Sequence, residues 1–266
     1  MSRISDLFTR LKPTGEKALV AYITAGDPAP ARTAALVAAL ERGGADLIEL
    51  GVPFSDPVAD GPMIQRASER ALAAGTRLAT VLDIARQIRA QSQIPLLLFS
   101  YLNPLLRYGF EKLAKDAVAA GIDGVLITDV SVEEAASYVE TMRAAGLDTV
   151  FLAAPTSTPR RLELVSRYST GFAYLVSRTG VTGERDSLAS SAGELVYAMR
   201  AVTHLPLTIG FGISKPEQAS EAGKLADGIV VGSAFVRIVE EHGASPDLEA
   251  RLESLARSLK SPLEKA

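Results

Sequence analysis

Three carboxylates share one short stretch of the chain, LIELGVPFSDPVADGPMIQ (47–65): Glu49, Asp56 and Asp60. Glu49 lies inside an apolar run, just before the run breaks into a loop of prolines and glycines. An ionised carboxylate in an apolar site is costly, so burial raises its pKa by up to several units. A carboxyl that titrates near neutrality can both give and take a proton. The same residue also suits a structural acid hydrogen-bonded to neighbouring loops, and sequence chemistry leaves the two readings open. Asp56 precedes Pro57, and Asp60 precedes Gly61-Pro62. On turn chemistry alone both aspartates read as Asx-turn or helix-cap residues.

A second kind of chemistry is written in glycines. The segments GFGIS (210–214) and VGSAF (231–235) each end an apolar run and lead straight into a helical pattern. Small residues let backbone approach a ligand, and free N–H groups at a helix N-terminus favour an anion. Gly212, Gly232 and Ser233 are therefore candidates for holding a phosphate. Tight turning is the plainer explanation of a single such glycine, and the recurrence of the turn favours the phosphate reading. The segment TGVTGERD (179–186) is polar and glycine-spaced, as suits either a mobile lid that excludes water or an ordinary solvated loop.

These residues need a scaffold, and the hydrophobic pattern supplies one. Eight short apolar runs recur: 18–24, 46–51, 95–101, 123–129, 148–154, 171–177, 205–211 and 227–232. They are nearly continuous rather than alternating, as in parallel strands covered on both faces. The stretches between them read as helices. Asp27-Pro28 and Thr158-Pro159 resemble a cap followed by proline at the first helical position. Ser131-x-x-Glu134 and Ser214-x-x-Glu217 have capping-box spacing. Gly43-Gly44, Gly121, Gly146 and Gly223 mark helix ends. Three phrases, RGGADLIEL, AGIDGVLIT and LADGIVVG, repeat one passage from helix to strand. Eight strands alternating with helices predict a (β/α)₈ TIM barrel, with an extra N-terminal helix and additional helices in the βα loops. No G-x-G-x-x-G follows the first strand, which disfavours a doubly wound sheet. No linker interrupts 1–266, so one domain is expected.

In such a barrel the site lies at the C-terminal ends of the strands. Those ends carry Asp27, Glu49, Asp56, Asp60, Tyr101, Asn103, Asp129, Tyr174, Ser177 and Arg178. The turns after the seventh and eighth strands are where this fold commonly holds phosphate.

Composition narrows the chemistry. The 266 residues are 47% hydrophobic with a net charge of −3 and no cysteine. That leaves no disulfide scaffold, thiolate metal site or cysteine nucleophile. No basic block points to nucleic acid. No lysine lies in a predicted strand, which counts against a Schiff-base aldolase. The two histidines, His204 and His242, are poorly placed for catalysis and too few for a His-rich metal site. No signal-peptide core and no run near the roughly 20 apolar residues of a membrane span are present, so a soluble, cytoplasmic chain is expected. The residues alone thus point to carboxylate acid/base chemistry on a phosphorylated substrate.

The segments AYITAGDP (21–28), LIELGVPFSDPVADGPMIQ (47–65), YLNPL (101–105), YLVSRTGVTG (174–183), GFGISKPEQ (210–218) and VGSAFV (231–236) together resemble the tryptophan synthase α subunit family, across essentially the whole chain. The resemblance implies retro-aldol cleavage of indole-3-glycerol phosphate to indole and glyceraldehyde 3-phosphate. It implies that Glu49 is the general acid/base and that Asp60 accepts from the indole N–H. It places Tyr174 and Tyr22 in the substrate pocket, Tyr22 where some relatives carry phenylalanine. It assigns Thr182 to the lid and Gly183, Gly212, Gly232 and Ser233 to the phosphate. It further implies a pyridoxal-phosphate-dependent β subunit as partner in an α2β2 heterotetramer, no cofactor in this chain, and a contact surface at Asp56, Asn103 and Pro104. The family's D-V-P-V-E-E reads DVSVEE here, with Ser131 for proline, which touches that surface and not the chemistry. The alternatives are a free-standing lyase and a non-catalytic barrel that binds a phosphorylated ligand. An indole-3-glycerol phosphate synthase is disfavoured by the missing strand lysine.

Overall fold

The structure, a computed structural model, describes residues 2–176, 185–210 and 212–264, with 185–191 given by backbone alone. Its strands are β1 (Ala18–Thr24), β2 (Leu47–Gly51), β3 (Leu96–Ser100), β4 (Gly124–Ile127), β5 (Asp148–Val150), β6 (Leu152–Ala153), β7 (Ala173–Val176), β8 (Leu207–Gly210) and β9 (Gly228–Val231). All pairings are parallel, in the order β5-β4-β3-β2-β1-β9-β8-β7-β6. β5 and β6 are separated only by Phe151, so the two ends of this order are halves of one strand. The sheet therefore closes into the expected barrel, and the predicted 148–154 strand is one strand position broken at Phe151.

Alternation along each strand sorts two cores. Leu19, Ala21, Ile23, Ile48, Leu50, Leu96 and Leu98 face outward into the layer of helices. Ala18, Val20, Leu47, Leu97, Leu126, Val150, Phe172 and Val230 face inward. The predicted N-terminal helix, Arg3–Leu11, closes the bottom. Its residues Ile4, Leu7, Phe8 and Leu11 recur at helical spacing and join the inner cluster. Phe8 meets Phe172 with ring centroids 5.8 Å apart. The Ser2 hydroxyl caps this helix by accepting from the Ser5 amide at 3.1 Å.

The three repeated phrases share a physical device. Asp46, Asp123 and Asp227, just before β2, β4 and β9, each accept from an amide on the preceding strand of the barrel: Leu19, Leu96 and Leu207, all at 2.8 Å. Each is also paired with a cation. Lys260 meets Asp46 at 2.7 Å, Arg3 and Arg89 meet Asp123 at 2.9 and 3.0 Å, and Arg200 meets Asp227. These carboxylates satisfy strand N–H groups at the bottom of the barrel, where the ladder has run out.

The predicted additional helices are present, and some boundaries differ. Two helices follow β2, Pro62–Ala73 and Leu78–Arg89, where the sequence read as one long helical stretch over 62–91. Asp27-Pro28 does not start a helix. Helix Pro30–Arg42 starts with Pro30 as its leading proline, and the Asp27 carboxylate is held by Arg70 instead. Ser131 starts a turn, with Glu134 N–H donating to its carbonyl at 3.0 Å, and the helix follows at Ala136–Ala144. The Ser214 box forms one residue later. Gln218 Oε1 accepts from the Ser214 and Lys215 amides at 2.9 and 3.1 Å, ahead of helix Pro216–Gly223. Thr158 caps Pro159–Tyr168 as its sequence suggests.

Removing one partner of a buried ion pair leaves an uncompensated charge, at a cost of about 3–5 kcal/mol. Asp123 is buried between two arginines and a strand amide. Asp123→Ala is expected to lose stability of that order in urea unfolding, with the turnover of the folded fraction unchanged, because the contacts lie at the end of the barrel opposite the site.

Candidate active site

Glu49 continues the inward face of β2. It follows Leu47 by two residues and stands in register with Tyr22 on β1 and Leu97 on β3. The carboxyl is 1% exposed, and among the described residues its Oε1 has no hydrogen-bond partner. Burial pushes it up to about 8. At neutral pH the group therefore carries its proton.

Asp60 reaches the same place from the loop after β2. Helix Pro62–Ala73 is capped by the backbone of Gly61 with no side-chain hydrogen bond, so the carboxylate is not spent on capping. It accepts instead from the Tyr101 hydroxyl, which opposes part of the upward push of burial and leaves Asp60 at about 6. Tyr101, at the end of β3, also accepts from the Ala59 amide at 2.9 Å and stacks near Phe54 at 5.2 Å. One buried tyrosine thus pins the whole loop that carries Asp60. Its place at a strand end was visible in the sequence, but its hydrogen bonds depend on how the loop folds back.

Two more tyrosines line the inner face. The Tyr22 hydroxyl lies 3.2 Å from Thr24 Oγ1, and its ring meets Phe99 edge-on at 5.1 Å. Tyr174 on β7 is half-buried, and burial, Glu49 and Asp60 in that order hold its hydroxyl protonated. Each ring crosses a glycine. A Cβ on Gly51 would stand 2.4 Å from the Tyr22 oxygen, and one on Gly210 would stand 2.5 Å from the Tyr174 oxygen. These contacts explain why β2 and β8 both end in glycine, a reason that strand patterning does not reveal.

The glycine turns lie at the same end of the barrel. Gly212, after β8, has φ +70°, the left-handed region that favours glycine. Gly232 precedes helix Ser233–His242 and offers it no side-chain cap; the Phe235 and Val236 amides donate to the Gly232 carbonyl at 2.9 and 3.1 Å, which leaves the Ser233 and Ala234 N–H groups as the candidates for an anion. Tyr22 lies beside Gly232, 3.5 Å from where a Cβ would stand. Ser177, Arg178, Thr182 and Gly183 fall outside the described residues. Asp129 serves the backbone, accepting from the Leu102 amide at 2.7 Å.

Asn103 and Pro104 are brought together elsewhere, next to Ser55, the neighbour of Asp56. Asp56 is exposed and accepts from its neighbour Ser55. Ser55, Asn103 and Pro104 line a cleft of about 510 Å³ with Phe54, Arg77 and Arg107, apart from Glu49. The apolar side chains Val58 and Leu106 nearby in sequence are 84% and 52% exposed. Among the described residues no group of His, Cys, Asp or Glu is arranged to hold a metal ion, and no helix is long and apolar enough to cross a membrane.

A closed (β/α)₈ barrel with a protonated carboxyl, an ionisable partner and a helix N-terminus at its mouth is the architecture of a barrel enzyme for acid/base chemistry on an anionic substrate. Comparison with known proteins narrows this. The family model described as tryptophan synthase alpha chain matches residues 8–264. The tryptophan synthase alpha chain of Solibacter usitatus is 66% identical over 98% of this chain and 97% of its own, and that of Geobacter sp. (strain M21) is 51% identical over 94% and 93%. The crystal structure of tryptophan synthase subunit alpha from Legionella pneumophila superposes with a TM-score of 0.93 at 36% identity, covering 100% of both chains. The chain belongs to the tryptophan synthase alpha chain family. Its reaction is that of the family, the carbon–carbon lyase step that cleaves indole-3-glycerol phosphate to indole and glyceraldehyde 3-phosphate.

A raised pKa also has a thermodynamic signature. Glu49 binds its proton up to about pH 8 when folded and only to about 4.5 when unfolded. Across that window the native state holds more protons, so stability falls as pH rises. Glu49→Gln removes this term. It is expected to unfold at higher temperature than wild type at pH 7, by on the order of 3 kcal/mol, with the difference fading below pH 4.5 in thermal scans.

Proposed function

We propose that Glu49 is the proton shuttle of the cleavage and Asp60 its electrostatic partner. The observation that carries this reading is the fully buried Glu49 carboxyl with an unpartnered oxygen at the barrel mouth. Glu49 gives its proton to indole C3, which turns the ring into an iminium electron sink. The resulting carboxylate takes the proton of the adjacent side-chain hydroxyl. As that O–H breaks, the C=O of glyceraldehyde 3-phosphate forms and the bond to C3 breaks. Its electrons return to the ring, releasing indole and restoring the protonated acid. Asp60, ionised, accepts from the indole N–H and offsets the positive charge that develops there. Tyr22 and Tyr174 wall the indole pocket. Gly212, Gly232 and Ser233 hold the phosphate; Gly183 and Thr182, assigned by the resemblance to the phosphate and the lid, lie outside the described residues.

The same reading extends to assembly. Asp56, Asn103 and Pro104 form the contact surface for a β subunit that carries pyridoxal phosphate and takes up the indole, in an α2β2 heterotetramer in the cytoplasm. The exposed Val58 and Leu106 beside them support an apolar interface. The chain acts as one domain and brings no cofactor of its own.

The test is indole release from indole-3-glycerol phosphate. Glu49→Gln is expected to lose several orders of magnitude in rate with its fold intact. Near-normal turnover would remove Glu49 from the mechanism. Asp60→Asn should also fall steeply, and unfolding as its main effect would assign Asp60 a structural role.

The pH dependence has a fixed sign. Asp60 must be ionised and Glu49 protonated, so kcat/KM should rise with pH through about 6 and fall through about 8. The substrate phosphate also titrates near 6. The rising limb must therefore weaken in Asp60→Asn, and an unchanged limb would assign it to the substrate.

A further inference from the structure

Asp27 is a buried carboxylate that the proposed chemistry does not use. It is 3% exposed, just past the end of β1. Arg70 grips it bidentately, Nε to Oδ1 at 2.8 Å and Nη2 to Oδ2 at 2.7 Å. The remaining Nη1 of Arg70 donates to Glu240 at 2.8 Å. Arg66, one turn earlier on the same helix face, forks onto Glu240 at 2.7 and 3.0 Å. Two arginines and two carboxylates thus make a neutral quartet across three elements.

Each element leads to the site. The Arg70 helix, Pro62–Ala73, begins directly after Asp60-Gly61, and Gln65 Nε2 ties it back to the Asp60 carbonyl at 2.9 Å. The Glu240 helix begins at Ser233, on the candidate phosphate turn. The Asp27 amide donates to the Thr24 carbonyl at 3.2 Å, and Thr24 holds the Tyr22 hydroxyl. The apolar contacts here are few, with Ala67, Val236 and Tyr22 forming a small separate cluster with Met63, Ile64 and Phe99. The planar, bidentate geometry of arginine fixes direction as well as distance.

We propose that Arg70 is a positioning residue that sets the spacing between Asp60 and the phosphate turn at Gly232 and Ser233. The proposal rests on the reading that these two groups grip opposite ends of one substrate. A spacing error leaves each grip intact and misaligns the reacting centre between them. Misplacement of about 1 Å can cost on the order of 100-fold in rate.

The experiment uses the full chain and measures indole release together with competitive inhibition by inorganic phosphate, at a temperature where circular dichroism shows each variant folded. Arg70→Met is expected to lower kcat/KM by about 100-fold while the inhibition constant for phosphate stays within about threefold of wild type. Arg70→Lys should recover only a small part, because an ammonium group cannot hold both carboxylates in the same plane. A folded Arg70→Met with kcat/KM within about threefold of wild type would overturn the proposal. So would a loss matched by an equal weakening of phosphate inhibition, which would mean that the turn itself had collapsed. If Arg70→Met does not fold, Glu240→Gln at the outer end of the quartet carries the test on the same two readouts, with a smaller fall expected. Glu49→Gln belongs in the same assay. Normal turnover there overturns the underlying reading and the role of Arg70 with it, whereas a normal Arg70→Met beside an inactive Glu49→Gln overturns the positioning role alone.

Discussion

The structure is organised around one costly placement, a carboxyl on the inner face of an apolar barrel. Glu49 follows Leu47 inward, stands beside Leu97 and has an oxygen without a partner among the described residues. Desolvation keeps it protonated at a pH where an exposed glutamate would be ionised. A carboxyl in that condition is poised to donate to carbon and then to act as a base, and the fold must be stable enough elsewhere to hold it. The barrel meets that demand with an inner cluster closed by the N-terminal helix and with carboxylates at the bottom that complete the strand ladder.

This division explains why acids of one chemical type do opposite work. Asp46, Asp123 and Asp227 sit at strand starts, where amides and cations surround them, and their work is structural. Glu49 and Asp60 sit at the other end, where no cation is among the causes that set their pKa and hydrogen-bond partners are few. Asp60 differs from Glu49 by one hydroxyl contact from Tyr101, together with lesser burial. The two carboxyls are thereby pushed to about 8 and about 6. That separation leaves one protonated and the other ionised near neutrality, the combination that proton donation and charge stabilisation require.

Much of this was legible in the sequence. The parallel barrel followed from eight apolar runs, because burial on both faces erases the strand alternation. The N-terminal helix was expected from the sequence, and the structure shows that Ile4, Leu7, Phe8 and Leu11 are the face it buries. Local signals failed where tertiary contacts outbid them. Asp27 looked like a cap, but Arg70 from a distant helix claims its carboxylate, and Pro30 starts the helix instead. Asp60 looked like a cap as well, yet Gly61 fills that place and frees the side chain. The Tyr101 contacts, the glycine saddles under Tyr22 and Tyr174, and the Arg70 quartet join residues far apart in the chain. No periodicity or spacing rule encodes such contacts, and only the folded geometry brings them together.

The chemistry proposed for the barrel mouth depends on the protonation state of Glu49. Carboxyl carbons can be labelled with carbon-13 and followed by NMR through a pH titration, with Glu49→Gln identifying the resonance. One glutamate resonance of the free chain is expected to titrate near pH 8 and to be absent from the variant. A Glu49 resonance that titrates near 4.5, like an exposed glutamate, would contradict it.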